Sequence, residues 1–411
     1  MNQAIQEEAK IDSRWLEFVI FLLFLLGPLT GNIINVLFGV LSDYFQVTQT
    51  SISIAIPAFM FPFAITQLFS GAISDVKGRI PVLIGGLILF AIAMLTAAIS
   101  FNLIMYVIAN IIGGIGFGFI NPVLIALMAD ITNSPNLPKK MGYLGASANL
   151  GVGLGPLIAS QMILIGWQSI YILFIVITCF CLIYFILRKN SHREITIESG
   201  VRIFLTQLSK EWRRLPIILM ILSAFLISHT YIAINICTSI TLTQSHTFNE
   251  TLIGIILSLA GIGAAITGIL SGNIIKKKDA KFPLIIGSFI LICSLVILLS
   301  IGDITVQEKI SYLSIGWILA GFSGGILFTT ITFYSQILSP KNRGALAGSL
   351  TASYFTGIAL VPMTLVPLSN NFGINYVYLI ILIISIFFII VTFLLYLFSN
   401  RIILRKIDDS K

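Results

Sequence analysis

Twelve apolar runs alternate with short polar connections along this chain, at about 16–42, 50–74, 80–100, 103–129, 141–165, 168–187, 215–242, 251–275, 282–301, 310–338, 344–368 and 374–399. Each run is long enough to cross a bilayer, for which about 20 apolar residues suffice. Only helices and closed barrels satisfy the backbone in lipid, and the runs are read as twelve helical spans, numbered 1–12. Polar residues are spread unevenly among them. Span 1 carries Asn32, Asn35 and Ser42 on one stripe with Gly39, and span 4 carries Asn110 and Asn121 on the face of Gly114 and Gly118. Span 7 has Ser228, Tyr231, Asn235 and Thr238 at helical spacing with His229 beside them, and span 10 has Thr329, Thr332 and Gln336. Spans 3, 6, 9 and 12 hold little beyond an occasional Ser or Thr. A polar side chain in a span is costly unless it faces the bundle interior or a wet cavity. The pattern predicts that spans 1, 4, 7 and 10 line something wet while spans 3, 6, 9 and 12 face lipid. Interhelical hydrogen bonding accounts equally well for any one of these residues.

Composition agrees. The 411 residues are 57% hydrophobic and 10% charged, with a mean hydropathy of +1.03, whereas a soluble domain carries about a quarter charged residues. An integral membrane protein is expected. The net charge of +8 does not imply a nucleic-acid partner, because the basic residues cluster at every second connection. Every Lys and Arg except Lys309 falls at the N-terminus, at 77–79, 139–140, 188–214, 276–281, 341–343 or beyond 401. Short loops rich in Lys and Arg stay inside, so both termini are expected in the cytoplasm and the protein in the plasma (inner) membrane. Cys179, Cys181, Cys237 and Cys293 all lie within apolar runs and offer no disulfide framework or metal-ligand spacing.

The two halves of the chain echo each other. Pro81-Val-Leu-Ile-Gly-Gly returns as Pro283-Leu-Ile-Ile-Gly, 202 positions on; Pro156 of span 5 is answered by Pro362 of span 11, 206 positions on. Gly113, Gly114 and Gly116 of span 4 are answered by Gly321, Gly324 and Gly325 of span 10. Matching order at matching span numbers implies a six-plus-six duplication. Residues 1–187 form the first half, 188–214 a cytoplasmic linker, and 215–411 the second half. In the linker Val201, Phe204, Leu205, Leu208 and Trp212 recur at helical spacing among basic residues, as in a helix lying in the membrane interface.

Between spans 2 and 3 stands a tight charged turn, Gly71-Ala72-Ile73-Ser74-Asp75-Val76-Lys77-Gly78-Arg79. Span 5 carries Gly151, Gly155 and Ala159 at four-residue spacing, a smooth ridge for close helix approach, with Pro156 favouring a kink. Both stretches resemble signatures of the major facilitator superfamily. The first is similar to its loop 2–3 motif. The second is similar to the antiporter motif of its drug-exporting branch, with Ala159 and Ser160 where glycines are usual. Over essentially its full length the chain looks like a twelve-span drug:proton antiporter of the bicyclomycin/chloramphenicol-resistance type. The resemblance implies an all-α fold of two pseudo-symmetric six-helix halves, with spans 1, 4, 7 and 10 lining the cavity. It implies that Gly71 allows close helix contact. Asp75, set against the N-terminus of span 11 and paired with a basic residue such as Arg79, would latch the cytoplasmic side, with Gly78 in the turn and Asp130 as a further member of the charge cluster.

Two positions depart from the family pattern. Val76 stands where a basic residue is usual, and Asn110 stands near the place of an arginine linked to proton coupling. No Asp, Glu, Lys or Arg lies deep in any span, which argues against an anionic substrate. His229 is the one candidate proton carrier apart from Cys and Tyr, its ordinary pKa of about 6.5 suiting the task. The substrate-cavity candidates are Asn32, Asn35, Asn110, Asn121, Tyr231, Asn235, Thr332 and Gln336. Export of small, mostly hydrophobic compounds coupled to protons is the leading expectation. The alternatives are a dedicated carrier of one neutral polar metabolite and an uncoupled facilitator. No cofactor is expected, and the protein is expected to be a monomer. With histidines scattered at 192, 229 and 246 and no phosphate-binding Gly-rich loop, neither an enzyme nor an ATP-driven pump is expected.

Overall fold

The computed structural model describes residues 2–132, 137–188, 211–245, 247–277, 280–302, 307–339 and 343–408. Each apolar run becomes helix, and the described elements pack as an all-α bundle. Span 1 is built from two helices, Asn2–Asn32 and Ile34–Phe45. The break follows Pro28, and the Asn32 side chain donates to the Pro28 carbonyl at 2.7 Å, a local alternative to the helical ladder. Span 2 comprises Gln49–Ile52 and Ala55–Lys77, and span 3 is Arg79–Ala98. Span 4 is Leu103–Ile131, with the Asn102 side chain accepting from the Met105 N–H at 2.8 Å as its N-cap. Spans 5 and 6 are Leu137–Met162 and Gln168–Leu187.

Spans 7, 8 and 9 are Leu215–Gln244, Glu250–Lys277 and Lys281–Ile301. Spans 10, 11 and 12 are Ile310–Ile337, Arg343–Phe372 and Ile374–Asp408. Among the described residues eleven helices are long and apolar enough to cross a membrane. Span 5 is the exception, diluted by five glycines together with Lys139, Lys140, Asn149 and Gln161. Residues 189–210, with most of the expected linker helix, lie outside the described residues.

Side-chain size sets the packing. A Cβ at Gly114 of span 4 would lie 2.1 Å from the Phe59 carbonyl oxygen of span 2, and one at Gly321 of span 10 would lie 2.2 Å from that of Ala260 in span 8. Backbones approach this closely only over glycine. The repeated glycines of spans 4 and 10 thus make matching contacts, with span 2 in one half and span 8 in the other. Span 7 is the most enclosed, with 78% of its apolar window buried, against 33% for span 6 and 39% for span 12. Ile172, Val176, Phe180 and Ile183 of span 6 and Ile383, Ile386, Phe387 and Ile390 of span 12 stand exposed on the outside of the bundle. That is the lipid-facing class expected of these spans.

The start of span 7 is tied to its own half. Glu211 pairs with Arg214 at 2.7 Å and accepts from the Ser339 hydroxyl at 2.8 Å. Trp212 Nε1 donates to the Ser349 hydroxyl of span 11 at 2.9 Å.

Candidate functional site

The turn between spans 2 and 3 has the geometry its residues demand. Gly78 separates the two helices at φ +88°, a conformation that L side chains rarely adopt. Arg79 opens span 3, donating from Nη1 to the Ser74 hydroxyl at 2.6 Å and from Nε to Asp130, at the end of span 4, at 3.1 Å. The expected charge cluster therefore includes Arg79 and Asp130. The Asp75 side chain lies outside the described residues. A second ion pair, Lys140 to Glu17, ties span 5 to span 1 at this basic end of the bundle.

Three seams join the halves. Along the first, spans 2 and 11 run antiparallel. Asn370 donates to the Thr50 hydroxyl at 2.6 Å near the end opposite the basic loops, and mid-span the Phe63 and Phe355 rings meet at 4.4 Å. Continuing this register places Gly71 level with Gly348, and no described atom lies within 4 Å of a Cβ built at either. Along the second seam, spans 5 and 8, Gly254 abuts Ser160 and Pro156, and a Cβ at Gly261 would lie 2.4 Å from the Cα of Gly153. Toward the basic end of that seam Gly145 and Gly272 are both open. Both seams are closed at one end and parted at the other. Among the described residues nothing stands against Gly71 at the distance of a close helix contact in this conformation.

The third seam lies between spans 1 and 7. The Ser239 hydroxyl donates to the Asn35 carbonyl, and a Cβ at Gly39 would lie 2.7 Å from Thr243 Cγ2. Both pairs are 204 positions apart, matching the repeat offset. Equivalent residues touching each other is what a pseudo-twofold axis between spans 1 and 7 produces.

The span-5 ridge serves two neighbours. Gly151 and Gly155 let span 1 approach at Leu25 and Leu29, while Gly153 meets span 8. Ala159 is fully buried. The helix continues through Pro156.

Of the cavity candidates, Asn35 Oδ1, Tyr231 OH and Thr332 Oγ1 are buried without a hydrogen-bond partner among the described residues. Buried polar groups are normally paired, so such groups mark places where something else belongs. Asn235 accepts from Trp317 Nε1 of span 10. Asn110 donates to the Tyr106 carbonyl at 2.9 Å and lines a cavity of about 20 Å³ within spans 1–6, room for one water. Asn32 is spent on the span-1 break. Asn121 is half-buried, and the Gln336 side chain lies outside the described residues.

His229 is buried at 8% exposure and stacks on Phe225, with ring centroids 5.5 Å apart. Its Nδ1 is 2.9 Å from the Gly357 carbonyl of span 11. A carbonyl only accepts, so Nδ1 carries the hydrogen and Nε2 is left as the basic nitrogen. Nε2 lies 3.4 Å from Thr364 Oγ1, whose own hydrogen goes to the Leu360 carbonyl at 2.8 Å. A proton added at Nε2 thus finds an acceptor waiting.

Two features escaped the sequence reading. Gln67 of span 2 is 3% exposed with neither amide atom partnered among the described residues; the cost of a polar group in a span is the signal that marks it in the sequence. The second is a continuous run of rings through both halves. It passes from Phe90 to Phe117, Phe63, Phe355, Tyr354 and Phe328, with centroid separations between 4.4 and 5.8 Å.

Two pseudo-symmetric groups of membrane-spanning helices, meeting along seams of which two close at one end only, have the architecture of a membrane transport protein. The family model described as Major Facilitator Superfamily matches residues 20–362 and again 220–407, and the chain belongs to that superfamily. Among curated relatives, the quinolone resistance protein NorA of Staphylococcus aureus is 34% identical over 147 residues, 36% of this chain and 37% of NorA. The uncharacterised MFS-type transporter YvkA of Bacillus subtilis is 28% identical over 148 residues, 36% of this chain and 33% of YvkA. These matches span only about a third of either relative.

Among solved structures, the xylose transporter XylE from E. coli, in a partially occluded inward-open conformation, matches with a TM-score of 0.70 at 15% identity. That match covers 91% of this chain and 95% of XylE. A bacterial homologue of the human lysosomal transporter Spinster, inward-facing and unoccupied, matches with a TM-score of 0.67 at 14% identity, covering 95% and 97%. Both likenesses concern the fold.

Proposed function

We propose that this chain exports small, mostly hydrophobic compounds by alternating access, driven by protons moving the other way. Residues 1–187 and 215–411 act as two rocking halves joined by 188–214, with the basic end and both termini in the cytoplasm of the plasma (inner) membrane and one chain as the working unit. The observation that carries this reading is the pair of seams, 2–11 and 5–8, packed at the end away from the basic loops and parted at the basic end, which the proposal takes as cytoplasmic. A compound would enter between the parted ends, meet the aromatic run centred on Phe63 and Phe355, and leave when the outer contacts separate. The part-length likeness to NorA, a protein named for quinolone resistance, favours a drug-like substrate. His229 is the proposed proton carrier, since Nε2 has both a lone pair and an acceptor in reach. Asp75, Arg79 and Asp130 are proposed to brace the cytoplasmic end when it closes.

A second reading, a carrier of one neutral polar solute, is favoured by the unpartnered Asn35, Tyr231, Thr332 and Gln67. The test is proton flux from energised everted vesicles with an acid interior, followed with a pH-sensitive dye while cationic and neutral compounds are added. Compound-dependent proton release is expected. Its absence, with the protein verified in the membrane, would overturn the coupled reading in favour of a metabolite carrier or an uncoupled facilitator.

A further inference from the structure

Over the span 1–7 contact, at the end opposite the basic loops, lies a second cavity of about 400 Å³. Asp43 of span 1 and Glu250, the first residue of span 8, line it with Thr243, Thr247 and Phe248, and Gly39 forms part of its floor. Among the described residues no Lys or Arg lines it, so the two carboxylates give the cavity a negative character.

Beside that floor Gln49 is more than nine-tenths buried, at 8% exposure, and its Oε1 has no hydrogen-bond partner among the described residues. Its Nε2 lies 3.9 Å, and Glu250 Oε1 3.8 Å, from the point where a Cβ on Gly39 would sit. The amide head is therefore directed to the same spot as the carboxylate. The atom near that spot is the donor Nε2, and the unpartnered atom of the same buried head is the acceptor Oε1. A bare metal ion is a poor occupant, because no group of three or more His, Cys, Asp or Glu is gathered among the described residues. The volume falls instead in the range of small-molecule sites, about 300–1,000 Å³. Phe248, itself buried, closes part of the wall and gives the site an apolar boundary beside the carboxylates.

We propose that this vestibule is a binding site for organic cations on the exit route, separate from the aromatic run between the halves. Its place on the exit route rests on the export reading above; its chemistry does not. Parting of Gly39 from Thr243 opens the transport path into it, so a departing cation is held by Asp43 and Glu250 before release.

The test is calorimetric titration of benzyltrimethylammonium into the purified full chain in lipid nanodiscs. Glu250→Gln removes one carboxylate, and Thr247→Lys adds a positive charge at an exposed position without touching the packing. Each is expected to weaken binding about tenfold, the size of one partly desolvated charge interaction. No binding by the wild type at millimolar probe, or an affinity unmoved by Thr247→Lys, would overturn the site. Export of a neutral compound, followed in vesicles of the same preparations, separates the two readings. Charge-sensitive binding with no export retains the site and sinks the exporter; neutral export with charge-insensitive binding does the reverse.

Discussion

Gly39 and His229 show how much one position decides when helices pack without an apolar driving force between them. Lipid is as apolar as leucine, so close approach and interhelical hydrogen bonds hold spans together. Gly39 is where equivalent residues of the two halves meet, and a valine there would drive its methyl groups into Thr243. Gly39→Val is expected to keep the outer end from closing. A cysteine introduced at Thr243 would then label faster with an impermeant maleimide in the variant than alone. In the sequence His229 is the one proton-carrier candidate apart from Cys and Tyr; in the structure its Nδ1 donates to the Gly357 carbonyl of span 11 and its Nε2 faces the Thr364 hydroxyl. His229→Ala is expected to abolish proton-driven transport while leaving the protein folded and downhill flux measurable. Full retained coupling would remove it from the mechanism.

The informative elements are the glycine faces. Gly114 and Gly321 sit at corresponding places in spans 4 and 10, each with a neighbouring carbonyl oxygen where a side chain would go. Gly114→Leu and Gly321→Leu should each cost about 1–3 kcal/mol or more through overpacking, read as lower thermal stability of the purified protein. Gly71 and Gly348 behave differently, since the structure leaves both open. If they face each other only when the cytoplasmic end closes, cysteines at the two positions should cross-link faster under conditions that favour the outward-open form. Equal rates in all conditions would sink the gating role of this seam. The pairs Gly145/Gly272 and Gly71/Gly348 thus report the same motion from opposite sides of the pseudo-axis.

The whole molecule is a duplicated bundle whose two copies meet along three seams. The 204-residue spacing of Asn35/Ser239 and Gly39/Thr243 falls between the offsets of 202 and 206 of the paired prolines, so the axis of the assembled protein is written in the repeat. If the two copies move as bodies, fragments 1–187 and 215–411 expressed together should assemble and transport, and either alone should not. Transport by a single fragment would contradict a path formed between the halves.

Span number, the outward-facing apolar class of spans 6 and 12 and the duplication were legible in the sequence, because each depends on periodic apolarity or repetition along one chain. So was the cost of Tyr231 and Thr332 within their spans. What the sequence could not settle was which polar groups are already satisfied. Asn110 bonds its own helix and Asn235 meets Trp317, whereas Asn35, Tyr231, Thr332 and Gln67 have atoms without a partner among the described residues. Nor could it reveal that Asp43 and Glu250, far apart in the chain, share one vestibule, or which ends of the seams are shut. Partnership and closure depend on distances between helices brought together only by packing, and those the tertiary structure alone decides.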